Sequence, residues 1–216
     1  MMRPMMLTLA VLASSCLTSP GGGTGTLFVT ARLTSDGSTS GSDARVTVRE
    51  GSSNGALVKN AEVAILGGAL GRTLVGYDDD RDQYRLDGFT WVEGFRLEVI
   101  RGNDRLDGSI AAPGATLIVD PISDSTYRRA DGPLIIRWRD SRNAPAGKTQ
   151  LRLEKAKIDL SIQEGVTDLL VDPNDLIVSD KEKIRLERTN QVSLAGGVAG
   201  SSLSAGTEQS IEFRVE

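Results

Sequence analysis

The chain has 216 residues, 39% of them hydrophobic and 25% charged, with a formal net charge of −4. That balance fits a globular chain rather than a disordered one, and the mild acidity gives no electrostatic case for binding nucleic acid. There is no histidine and only one cysteine. The commonest general base, transition-metal ligand and pH switch are therefore missing, and no disulfide can form within the chain.

The chain opens MMRPMMLTLAVLASSC. One positive charge, Arg3, precedes an apolar run from Met5 to Ala13, then two small residues and Cys16. This is the layout of a secretory signal. The run is too short for a membrane-spanning helix, which needs about 20 residues. Leu12-Ala13-Ser14-Ser15-Cys16 resembles the lipobox of bacterial lipoproteins, with Ala13 at the usual leucine position. The resemblance implies that the Cys16 thiol is acylated, becomes the new N-terminus and anchors the protein in a membrane. Leu17 after the cysteine resembles outer-membrane sorting. Ala13 and Ser15 equally suit ordinary cleavage before Cys16, which would make the protein secreted or periplasmic. Residues 1–16 are expected as the signal. Residues 17–25, rich in glycine and small polar residues, are expected as a flexible tether spanning about 16 Å.

From Leu27 onward the apolar residues recur every second position. Leu27, Val29, Ala31 and Leu33 form one such run, followed by Val46/Val48, Ala61/Val63/Ile65 and Phe95/Leu97/Val99. Successive side chains on a strand point to opposite faces, so each run predicts a strand with one buried face. Clusters of Gly, Asp, Asn and Ser separate the runs, with Gly102-Asn103 placed as a hairpin turn. The pattern breaks at Ala111-Ala112-Pro113-Gly114 and at Asp120-Pro121, then resumes. Leu134/Ile136/Trp138, Leu151/Leu153, Ile158/Leu160/Ile162, Leu169/Val171, Ile184/Leu186, Val192/Leu194 and Ile211/Phe213/Val215 follow. No window of about twelve residues keeps a helical apolar period. The fold class is all-β: two consecutive antiparallel β-sandwich domains, residues 26–117 and 118–216. With aromatics at 4%, the cores are expected to be built from Val, Leu, Ile and Ala.

Gly55-Ala56-Leu57-Val58-Lys59-Asn60-Ala61-Glu62-Val63-Ala64-Ile65 and Tyr84-Arg85-Leu86 resemble the strand motifs of transthyretin-like, carboxypeptidase regulatory-type modules. That resemblance implies a structural or binding appendage without catalysis. Pro133 to Trp138 and Ile184 to Asn190 resemble strands of immunoglobulin-like or fibronectin type III-like domains, with Trp138 as the core aromatic.

Three constellations invite chemistry. Gly51-Ser52-Ser53-Asn54-Gly55 matches a nucleophile-elbow pattern, but neither a following helix nor a histidine base exists, so a loop is expected. Asp78, Asp80 and Asp82 stand at the spacing that opens a calcium loop, although Gln83 replaces its glycine and Phe89 its glutamate. The alternative there is a solvated acidic turn. Phe89 and Trp91 form an aromatic pair near a turn, either a contact site for a partner or the closure of the first sandwich. No cofactor and no catalytic residue are expected. The predicted protein is a non-enzymatic, membrane-anchored envelope module, structural, adhesive or protein-binding, with an envelope protein or glycan as partner. A secreted carbohydrate- or protein-binding module is the alternative, and a carboxylate-based hydrolase a third.

Overall fold

The computed structural model describes residues 25–37, 41–140 and 146–216. The expected signal, most of the tether and Cys16 lie outside the described residues. Sixteen strands and three short 3₁₀ turns form the described structure. The first eight strands are β1 (Leu27–Ser35), β2 (Ser42–Glu50), β3 (Glu62–Leu66), β4 (Arg72–Leu74), β5 (Gly76–Asp78), β6 (Gln83–Asp87), β7 (Gly94–Arg101) and β8 (Asp104–Ala111). The second eight are β9 (Thr116–Asp120), β10 (Thr126–Tyr127), β11 (Leu134–Asp140), β12 (Lys148–Leu153), β13 (Ile158–Ile162), β14 (Asp168–Val171), β15 (Ser179–Ser193) and β16 (Ser202–Val215). The all-β class holds, and the runs of period two fall on strands.

One long sheet runs through the whole molecule in the order β13-β12-β15-β16-β1-β2-β6-β5, with β10 also paired to β16. Two small sheets cover one side of it, β4-β3-β7-β8 over the first half and β14-β11-β9 over the second. In the second sandwich the first, second and fifth full strands (β9, β11, β14) face β16, β15, β12 and β13, a strand arrangement of the immunoglobulin-like type. Trp138 is buried in that core as expected.

The two sandwiches are joined by more than a linker. β15 and β16 form a hairpin of 15 and 14 residues that belongs to both. Its far half, Ile184, Leu186, Ile211, Phe213 and Val215, lies in the second core. Its near half, Leu194, Leu203 and Ala205, lies in the first core. These last residues fall inside the stretch expected as the second domain, 118–216. They reach the first core because β1 pairs in parallel with β16, from Thr30↔Ser202 to Ser35↔Thr207. The covering sheets change between Ala111, where β8 ends, and Thr116, where β9 begins, so the expected division between residues 117 and 118 falls within β9.

Polar ties hold the junction. Thr207 donates its hydroxyl to the Gly114 carbonyl at 3.1 Å, and the Ile118 amide donates to the Gln209 side chain. Asn190 donates to the Ala111 carbonyl at 2.9 Å and accepts from the Gly147 amide at 2.5 Å. Gly206 lets the hairpin strands close, because a Cβ there would lie 2.9 Å from the Arg188 carbonyl oxygen.

The chain enters and leaves at opposite ends. Beside Leu27 the Val198 amide donates to its carbonyl, and the Gly51 amide donates to the Thr26 carbonyl. β16 then carries the chain away from that end through both cores to Val215, where it meets β10 and the start of β15. Fourteen residues of strand at about 3.3 Å each span roughly 45 Å.

Candidate functional site

The aromatic pair closes the first sandwich. Phe89 is 6% exposed, with its ring 5.6 Å from that of Phe95. Trp91 is half-buried, 5.0 Å from Phe95, and donates its indole N–H to the Pro113 carbonyl at 3.0 Å. The Ser42 hydroxyl donates to the Phe89 carbonyl. With Phe89 inside the core and the indole N–H already engaged, the pair does not present an exposed aromatic anchor. Burial of the large rings, packed together with Phe95, explains the placement.

The acidic turn joins β5 to β6, and its carboxylates diverge. Asp78 accepts from the backbone amides of Asp80 and Arg81 and pairs with the Arg81 guanidinium at 2.9 Å. That guanidinium holds the Asp78 carboxyl below its ordinary value. Asp79 and Asp82 instead flank Lys59, at 3.1 and 3.4 Å, and Asp79 is the main cause of the raised Lys59 pKa. Asp78, Asp80 and Asp82 are therefore not brought together as a ligand set. Among the described residues no group of three or more acidic, cysteine or histidine side chains is placed to hold a metal. Gly51 to Gly55 is a loop leading from β2 to Leu57, which bridges back to Arg49.

The two motif stretches singled out in the first half, around Val58 to Ala61 and at Tyr84, do meet. Tyr84 on β6 is buried. Its hydroxyl accepts from the Ala61 amide at 2.8 Å and donates to the Val58 carbonyl at 3.0 Å. It thereby fixes the segment leading into β3. Burial raises the pKa of its phenol.

Two features were not singled out from sequence. The first is Glu182, which is fully buried. Its carboxylate accepts from the amides of Lys155, Ala156 and Lys183 at 2.8 to 3.0 Å, holding the β12–β13 turn against β15. The signal was there, since Glu182 stands in phase with Ile184 and Leu186. The second is a notch at the junction. β1 leaves β16 after Ser35↔Thr207, and β10 joins β16 only at Thr126↔Arg214. Between these points, from Glu208 to Ile211, no described strand pairs with that edge of β16. A groove of about 640 Å³ lies there, lined by Arg32, Thr34, Ser35 and Asp36 of β1 and its turn, Gly41, Asp43 and Arg45 of the β2 side, and Glu208 to Ser210 of β16. Arg32 reaches Glu187 at 3.3 Å and Arg45 reaches Asp43 at 2.6 Å.

No protein-family model and no curated protein sequence matches the chain. Among solved structures it is similar to the fibronectin(III)-like modules of CbhA from Clostridium thermocellum, at 13% identity and a TM-score of 0.31. That match covers 88% of this chain and 94% of the other. It is also similar, at 13% identity and a TM-score of 0.29, to a Ca²⁺-stabilized adhesin with which an Antarctic bacterium reaches out and binds ice. There the match covers 89% of this chain but 49% of the adhesin.

Proposed function

We propose that this protein is a non-catalytic surface module that holds its second sandwich away from a membrane as one stiff body. The observation that carries this reading is the shared hairpin. A single strand, β16, packs into both cores, and the chain enters beside Leu27 at the opposite end from Val215. A linker between separate domains would permit relative motion by default. Two continuous strands and the ties at Thr207, Gln209 and Asn190 oppose it.

In this reading Cys16 carries the lipid anchor, the tether follows, and the first sandwich is a transthyretin-like base. The immunoglobulin-like second sandwich stands outermost. The motif at Leu12 to Cys16 supports a lipid anchor, Leu17 supports sorting to the outer membrane, and the missing histidine supports a role without catalysis.

The test is fractionation of cells with intact-mass measurement of the mature N-terminus. An acylated Cys16 in the membrane fraction is expected, and Cys16→Ser should abolish that acylated form. An unmodified N-terminus in the soluble fraction of the unsubstituted protein would remove the anchor and leave a secreted module.

A further inference from the structure

We propose that the junction notch is a binding site for a neutral polyhydroxylated ligand, a saccharide of about two or three rings. Its volume of about 640 Å³ falls within the range of ligand sites, roughly 300 to 1,000 Å³. Its chemistry selects the class. No lining residue carries an apolar side chain: Arg32 and Arg45 donate, Asp36, Asp43 and Glu208 accept, Thr34 and Ser210 bring hydroxyls, and Gln209 brings its amide N–H while its oxygen takes the Ile118 amide. An apolar ligand finds no apolar side chain to bury against.

A phosphate or sulfate ligand meets three carboxylates against two guanidiniums, and a cation meets the guanidiniums. Vicinal hydroxyls donate and accept at once, so they match a wall in which donors and acceptors alternate. Hydrogen bonds to charged groups are the stronger kind.

The register places the donors side by side. Arg32 and Arg45 are direct cross-strand partners, an arrangement of like charges that is unfavourable in itself. Each is steadied by a separate acid, Glu187 and Asp43, which fixes two guanidiniums along one wall. The opposite wall is the β16 edge from Glu208 to Ile211, where no described strand completes the sheet. Backbone groups along that edge add donors and acceptors that an extended saccharide can use. The notch is held open by ties on either side, Thr207 to Gly114 and Asp124 N–H to the Glu212 carbonyl at 2.7 Å. The site is therefore formed before any ligand arrives. It also sits where the two sandwiches meet, a common place for ligand sites.

The test is amide chemical-shift mapping on the chain from residue 17 onward, which contains every described residue. The probes are cellotriose, chitotriose, maltotriose and mannotriose, each to about 10 mM, with inorganic phosphate and calcium as comparators. One or more trisaccharides should shift the amides of Thr34 to Asp36, Asp43 to Arg45 and Glu208 to Ser210 saturably. Arg45→Gln changes an exposed side chain and Glu208→Gln a half-buried one that pairs with Arg185 at 3.3 Å, and each should weaken binding about tenfold while leaving the remaining spectrum in place. The proposal is overturned if no trisaccharide moves these amides, if phosphate or calcium alone moves them, or if both variants bind as the parent does. The readout does not depend on lipidation, so it can fail while the anchored-spacer reading stands, and the reverse.

Discussion

The two sandwiches share an ion-paired long sheet but differ on their small covering sheets. On the first, the outward face of β4-β3-β7-β8 is laced by ion pairs around Glu98, which has Arg72, Arg96 and Arg105 at 3.3 to 3.6 Å. Arg96 also reaches Asp107 at 3.0 Å. The long sheet adds a cross-strand row, Arg32, Arg45 and Arg85, each beside its own carboxylate. On the second sandwich Leu117 of β9 and Leu170 of β14 are more than half exposed, as are Ile122, Ile177 and Val178 nearby. The edges differ too. β8 is stitched to the hairpin by reciprocal backbone hydrogen bonds between Asp107 and Ala195, while among the described strands β14 pairs only with β11.

The cores show the same asymmetry. Among the described residues the first contains 22 buried apolar residues and takes Leu194, Leu203 and Ala205 of these from the hairpin. The second contains 13 and takes five, Ile184, Leu186, Ile211, Phe213 and Val215. The lesson is that the second sandwich depends on a strand pair whose other half is held by the first. Individually, exposed ion pairs contribute roughly 0 to 1 kcal/mol, so the ion-pair lattice orders the first surface more than it stabilises it.

Breaking the hairpin on its far half should cost most. Phe213→Ala empties the second core and is expected to lose about 3–5 kcal/mol, read from urea unfolding. A loss below about 1 kcal/mol would mean that the second sandwich does not lean on β16 there. Glu182→Ala should follow. It leaves three amides without their acceptor at the β12–β13 turn, for about 3 kcal/mol, and hydrogen exchange should speed up at Lys155 and Ala156. Protection unchanged at those amides would show that the turn is held by other groups.

Tyr84→Phe sharpens the comparison on the first side. It removes a buried bridge between the Ala61 amide and the Val58 carbonyl, costing about 1–2 kcal/mol. Burial raises the Tyr84 pKa, so the native state favours the neutral phenol. Its contribution is complete below the unfolded pKa near 10 and is lost as pH rises through the folded value. The parent should therefore lose more stability than Tyr84→Phe above about pH 10. The smallest effect lies at the acidic turn. Asp78 is held below its ordinary value of 3.8 by Arg81. Its contribution is present above that value and is lost as pH falls through the lower folded one. Melting curves of Asp78→Asn and parent should converge in that acid range.

Much of this fold was legible in the chain. The alternation at Leu27 to Leu33 and at Phe95 to Val99, and the Gly102-Asn103 turn, are local facts of backbone and side chain. They reappear as β1, β7 and the tight β7–β8 connection. The shared hairpin was not legible. β1 and β16 are paired across some 170 residues, and no local pattern records which distant edge a strand will find. In β16 the near half shows only Leu203 and Ala205 among Ser, Gly and Thr, a faint signal beside Ile211-Glu212-Phe213.

Glu182 was hidden differently. Within Asp180-Lys181-Glu182-Lys183 it reads as one more solvated charge, and only the phase of Ile184 and Leu186 marks it as inward. The notch was invisible because it is an absence between two pairings of one strand. Phe89 and Trp91 were found as a pair, but sequence alone left open which way they point.

The tryptophans give the most direct test of the shared hairpin, since Trp91 packs against the first core and Trp138 lies in the second. The measurement is urea unfolding of Leu203→Ala, followed separately through each tryptophan with the other replaced by Phe. Leu203 is in the first core only. If the hairpin makes one cooperative body, both signals should move to lower urea together and stay coincident with each other. If the Trp91 transition falls while the Trp138 transition keeps its parent midpoint, the sandwiches unfold independently and the stiff-body account is wrong.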